Sequence, residues 1–116
     1  MNFDQVKAGD KIYQAVIYAD GWRVFEKQVK SISNYSYTRF WLEDGGDITV
    51  PNNHKSSEYS ISECVHVFTD ERQAVKWVDT KLKQAVRDAE KYIKDKQEER
   101  EQFRRKFKKY FTDENI

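Results

Sequence analysis

Three groups of residues have the types and spacing that chemistry or recognition requires. Cys64 and His66 stand two apart in a β-branched stretch. Alternate side chains of a strand share a face, so this thiol and imidazole can form a nucleophile with its base, or begin a metal site. There is no second Cys, and the other His, His54, falls in a polar run, so a ligand set stays incomplete. The simpler reading is that the pair occupies one strand face while Val65 and Val67 turn to the core. Phosphate-cradling Gly loops, zinc-protease spacing and nucleophile elbows do not occur. The expectation is a chain that is not an enzyme, with no catalytic residue, no metal site and no cofactor.

The second group is Tyr35, Tyr37, Arg39 and Trp41, which alternate and so share one face of a strand. Aromatic rings interleaved with a guanidinium can stack a base or hold a ligand. The alternative is that a helix covers this face, which is favoured because a helical stripe needs a surface to bury against. The third group closes the chain. Phe103, Phe107, Tyr110 and Phe111 are interleaved with Arg104, Arg105, Lys106, Lys108 and Lys109. On a helix Phe103, Phe107 and Tyr110 fall on one side, suited to a groove in another protein or to a second copy. The cations suit phosphates, an anionic membrane suits the segment least, and the bland alternative is folding back on the body of the chain. Glu98, Glu99 and Glu101 just upstream weaken both electrostatic options.

The elements that must position these groups follow from turn signals and periodicity. Lys11–Tyr18 reads as a first strand, and Asp20-Gly21 as a type I′ hairpin turn. A second strand runs from about Trp22 to Ile32. Its apolar phase changes between Val29 and Ile32, which predicts a bulge or a bend at a barrel corner. A third strand covers Tyr35–Glu43 and a short one Ile48–Val50, after which Pro51 removes a ladder donor. One or two last strands lie in Tyr59–Ile61 and Cys64–Phe68. Some five short strands separated by regular turns predict a small, strongly bent barrel.

From Thr69 to Phe111 there is no Gly and no Pro. Thr69 is the expected helix cap, with Asp70 and Glu71 facing the positive end of the dipole. Val75, Val78, Leu82, Ala85, Val86, Ala89, Tyr92 and Ile93 form one apolar stripe. Residues 94–102 are all polar, and aromatics resume at Phe103. Some 42 residues of helix span about 60 Å, whereas a barrel of about 70 residues offers a face of about 25 Å. The first stripe fits that face. The second requires either a break near Lys94–Gln102 or a helix that reaches beyond the barrel.

The chain has 116 residues, enough for one domain or a small domain with an appendage. Charged residues are 35% and aromatics 15%, a polar composition whose rings nonetheless argue for a packed core. The formal net charge of +1 excludes a global field toward nucleic acid or membrane. No leader is visible at Met1-Asn2-Phe3-Asp4 and no membrane-spanning run exists, so a cytoplasmic protein with no membrane partner is expected.

Val6-Lys7-Ala8-Gly9-Asp10-Lys11-Ile12-Tyr13 with its short strands resembles the entry to SH3-like barrels of the KOW and Tudor type. The junction Val67-Phe68-Thr69-Asp70-Glu71-Arg72-Gln73-Ala74 is similar to strand-to-helix joins in small accessory proteins of bacteria and phages. What the resemblance implies is a binding module, of the kind that often serves as an inhibitor of host systems, anti-CRISPR proteins included.

The expectation is therefore an α+β chain. An SH3-like barrel occupies 1–68, a long or broken helical region 69–111, and a tail 112–116. It is expected to block a partner protein through Phe103, Phe107, Tyr110, Phe111, Arg104 and Arg105. The alternative is nucleic-acid binding through the same tail and the Tyr35–Trp41 face.

Overall fold

The computed structural model describes residues 1–111 of the chain; the tail expected at 112–116 lies outside the described residues. It divides into two compact units, Met1–Lys81 and the remainder from Leu82 onward.

Six antiparallel strands form the first unit: β1 (Lys11–Tyr18), β2 (Gly21–Asn34), β3 (Thr38–Leu42), β4 (Asp47–Val50), β5 (Glu58–Ser60) and β6 (Val65–Phe68). Their order in the sheet is β4-β3-β2-β1-β6-β5, and the sheet curls into a half-barrel. Curvature comes from β2, whose first half pairs with β1 from Tyr18↔Gly21 to Lys11↔Gln28 and whose second half pairs with β3. The register shifts between Val29 and Ser31, the bulge that the change of apolar phase predicts. A bulge at that point lets one strand serve both halves of a bent sheet.

The concave face is filled by Phe3, Ile12, Val29, Phe40, Ile48 and Val67, each at most 3% exposed, with Phe3 supplied by a 3-10 turn over Phe3–Gln5. On the convex face Tyr13, Ala15, Ile17, Val24 and Phe68 meet Ala74, Trp77 and Val78 of the helix α1 (Glu71–Lys106). Alternation along β1 thus feeds two cores, Ile12 inward and Tyr13, Ala15 and Ile17 outward.

Three local expectations are corrected. The Asp20-Gly21 turn is not type I′: its two loop residues are Ala19 and Asp20, and neither has positive φ. Gly21 instead opens β2 at φ 151°. Tyr35–Tyr37 is a loop, because the Tyr35 N–H bonds the Tyr37 carbonyl at 3.1 Å and Asn52 Nδ2 donates to the Tyr35 carbonyl at 2.7 Å. Thr69 does not take the N-cap position, because α1 starts at Glu71 and Asp70 precedes it; the Thr69 hydroxyl donates to the Met1 carbonyl and ties the chain start to the end of β6. The first helical bond is Ala74 N–H to the Asp70 carbonyl, 3.3 Å. The Asp44-Gly45-Gly46 loop is as expected: Gly45 takes φ 94°, a conformation open to Gly. Lys27 Nζ (2.5 Å) and the Gly46 N–H hold the Asp44 carboxyl below the usual carboxylate range.

The helix α1 is unbroken through 94–102, so of the two expected alternatives continuity holds. The expectation that its first stripe is buried through Ile93 is corrected. Only Ala74 and Val78 are buried, while Val75, Leu82, Val86, Tyr92 and Ile93 are all exposed. The convex strip of β1 and β6 is narrow and takes about two helical turns. No helix among the described residues is long and apolar enough to cross a membrane.

Candidate functional site

On the first unit Tyr35, Tyr37, Arg39 and Trp41 come together, although only the last two lie on a strand. They wall a shallow hollow of about 260 Å³ with Ser33 and Thr49. Sequence reasoning passed over Ser33 and Thr49, yet ladder register could have found them, since each stands opposite Arg39 on a neighbouring strand. The Arg39 guanidinium lies 5.1 Å from the Trp41 ring centre, and its Nε is 3.4 Å from the Asp47 carboxylate. The indole N–H reaches Ser33 Oγ at 3.3 Å. Arg39 is thus fixed and partly neutralised, and the face offers flat aromatic surface and hydroxyls more than charge. Tyr35 is 87% exposed and Tyr37 60%. The expected helical cover is corrected: α1 covers the convex strip of β1 and β6, and this face is open.

Tyr37 and Thr49 also border a second hollow of about 370 Å³, completed by Asp47, Ile48, Tyr59 and Ile61.

The Cys64–His66 pair does not form the expected arrangement. Cys64 precedes β6, exposed, with its N–H on Ser62 Oγ and its carbonyl accepting the Ile17 N–H. The His66 ring packs against both Phe68 and Trp77, at 5.0 and 5.2 Å, with a Glu58 oxygen 3.9 Å from Nε2. Burial pushes this imidazole below its ordinary value, outweighing the upward pull of Glu58, and Lys81 adds to the lowering. The fold therefore favours the neutral ring. An unfolded His takes its proton near pH ~6.5, and the folded one resists to lower pH. The contribution is full above the unfolded value and is lost as pH falls through the folded one. Urea midpoints are expected to fall between about pH 7.5 and 5.5 by more in the natural chain than in His66→Phe; equal slopes would remove the assignment.

The second unit carries the C-terminal aromatics. The helix ends at Lys106, and a 3-10 turn over Lys108–Tyr110 bends the chain so that Phe111 lies 6.0 Å from Phe103, with Phe107 at 5.1 Å from Phe103. Tyr110 therefore leaves the helical face expected for it, and Phe111 takes its place. Cations sit over the rings: Arg104 over Phe111 (4.5 Å), Lys106 over Phe107 (5.7 Å) and Lys109 over Tyr110 (5.0 Å). Arg105 pairs with Glu101 at 3.6 Å. Cations in the last helical turn also complement the dipole, so part of this charge has a structural use.

Because α1 is continuous, what looks in sequence like two stripes is one. Leu82, Val86, Ala89, Ile93 and Phe103 lie along α1 and Phe107 directly follows its end, its N–H still bonded to the Phe103 carbonyl, and all are exposed. Among the described residues no cluster of His, Cys, Asp and Glu has the number and closeness a metal site needs. In comparisons with known proteins, no protein-family model, no curated protein and no solved structure matches the chain.

Proposed function

We propose that the chain is a non-enzymatic interaction module, a cytoplasmic SH3-like barrel whose C-terminal helix engages another protein. The strand order and the long bent β2 support the SH3-like reading. The observation that carries the functional one is the exposed apolar stripe from Leu82: Val86 is 57% exposed, and Ile93 and Phe103 each 55%. Exposed apolar side chains of this size on one face of a helix mark an interaction surface. The narrower reading, an antagonist of a host system of phage or anti-CRISPR type, rests on chain size and resemblance alone.

A second reading is nucleic-acid binding. It is favoured by Lys106 and Lys109 lying over the exposed rings of Phe107 and Tyr110, and it extends to the open Tyr35–Trp41 face.

One experiment separates the two. Replacing Phe103, Phe107 and Phe111 with Ala in the tagged chain is expected to reduce recovery of a co-purifying protein from lysate by about tenfold or more. The circular dichroism melt of the sheet should be unchanged. Equal recovery would overturn the protein reading. Affinity for a single-stranded oligonucleotide that drops steeply with salt, and drops further on Arg104→Gln with Arg105→Gln, would establish the second.

A further inference from the structure

The stripe from Leu82 has a period that matters. Leu82, Val86, Ala89, Ile93, Phe103 and Phe107 fall in alternating steps of four and three, with Lys96 and Arg100 filling the two places between Ile93 and Phe103. Regularity persists to the end, where the Phe107 N–H still bonds the Phe103 carbonyl at 3.1 Å. Steps of four and three average 3.5 residues per turn, the period at which two helices stay in contact by supercoiling.

The two cations decide which way round a second helix can lie. A parallel copy would set Lys96 on Lys96 and Arg100 on Arg100 in neighbouring layers of the seam, where like charges are least screened. Reversal of the copy parts the two Arg100 side chains and shifts the two Lys96 side chains from one layer to neighbouring layers. Leu82 then meets Phe107 of the second copy, Val86 meets Phe103, Ile93 meets Lys96 and Ala89 meets Arg100. Each phenyl ring faces an aliphatic side chain, and the long Arg100 stem crosses the smallest residue of the stripe. Beside Ala89 stands Glu90, whose carboxylate comes within reach of the facing Arg100 guanidinium. Lys96 is already held by Glu99 at 2.8 Å and lies 5.6 Å from the Tyr92 ring centre, so its methylenes line the seam while its charge stays at the rim. One juxtaposition opposes the arrangement: Lys83 comes level with Arg104 of the second copy, whose guanidinium is drawn over Phe111.

The stripe is thus complementary in shape and charge to itself reversed. We propose that Leu82–Phe107 pairs antiparallel with the same segment of a second copy of this chain. This rests on the reading that the helix is an interaction surface, and names its partner.

The test uses the full chain. Light scattering across micromolar concentrations is expected to approach twice the 13.9 kDa chain mass. Glu90→Arg and Arg100→Glu should each weaken association by about tenfold, and the double exchange should restore it. For orientation, Val86→Cys and Phe103→Cys, each made with Cys64→Ser, are mixed and oxidised. The mixed disulfide should dominate, whereas like-with-like disulfides would overturn the antiparallel pairing. A dimer indifferent to both charge reversals would overturn it too. A chain monomeric throughout would overturn it while leaving the surface reading intact if the Phe→Ala variant still loses its co-purifying protein. If that capture is also unchanged, both fall.

Discussion

Phe40→Ala is expected to destabilise the first unit by about 3–5 kcal/mol, the range for emptying a buried phenyl site. Phe40 is fully buried, its ring 5.9 Å from that of Phe3, and it lies on β3 where the sheet turns around its concave core. The neighbours cannot close the void cheaply, because Phe3 is fixed by its N–H bond to the Ser56 carbonyl, 2.8 Å, and Val29 adjoins the bulge. A domain of this size has a stability of only about 5–10 kcal/mol, so loss on this scale removes most of it. Equilibrium urea unfolding followed by tryptophan fluorescence measures the change. A loss below about 1 kcal/mol would mean that Phe40 is not where the core is tightest.

Ala74→Asp is expected to act on the convex face and leave the concave one standing. Ala74 is fully buried in the cluster that holds Ala15 and Phe68, and an alanine there lets helix and strand approach closely. A carboxylate in that place must be desolvated without a partner or must lever the helix away, at a cost of several kcal/mol. Levering away is the cheaper outcome. Amides of residues 71–81 should then lose hydrogen-exchange protection and Trp77 fluorescence should shift to the red. The β2–β3 ladder should stay protected. Loss of protection throughout both faces would show that the two cores form one cooperative unit.

The contrast between these variants bears on what was legible in the sequence. The limits of β1, the phase change at the bulge, the end of β4 before Pro51 and the start of the helix near Glu71 could all be read, because alternation and turn residues act locally. The two faces of β1 could not. Tyr13, Ala15 and Ile17 look like ordinary strand residues, and only the path of α1 makes theirs a second core. The Thr69 cap failed for a related reason, since the helix starts one residue later and the Thr69 hydroxyl is taken up in tying down Met1, remote in sequence. At the candidate sites, the aromatic strand face was legible as a group. Its Ser33 and Thr49 walls needed the ladder register, and its open state needed the position of the helix. The single stripe of α1 stayed hidden because nine polar residues can equally mark a break; continuity there is a property of the whole helix, supported by local pairs such as Lys96–Glu99.

The strand order has a consequence for how the fold is reached. From β1 to β4 every neighbour in the sheet is also the neighbour in sequence, so this meander can grow as successive hairpins with little chain to gather in. The exception is β6, which returns to β1 and pairs Val65 with Val16. Bringing those ends together closes most of the sheet into a loop, at an entropic cost of about 3 kcal/mol before any contact compensates it. The helix follows β6 directly, and its docking strip is made of β1 and β6 side by side, so that strip does not exist until the loop is closed. Closure of β1 with β6 is thus the slow step, and the helix comes to rest on the sheet last.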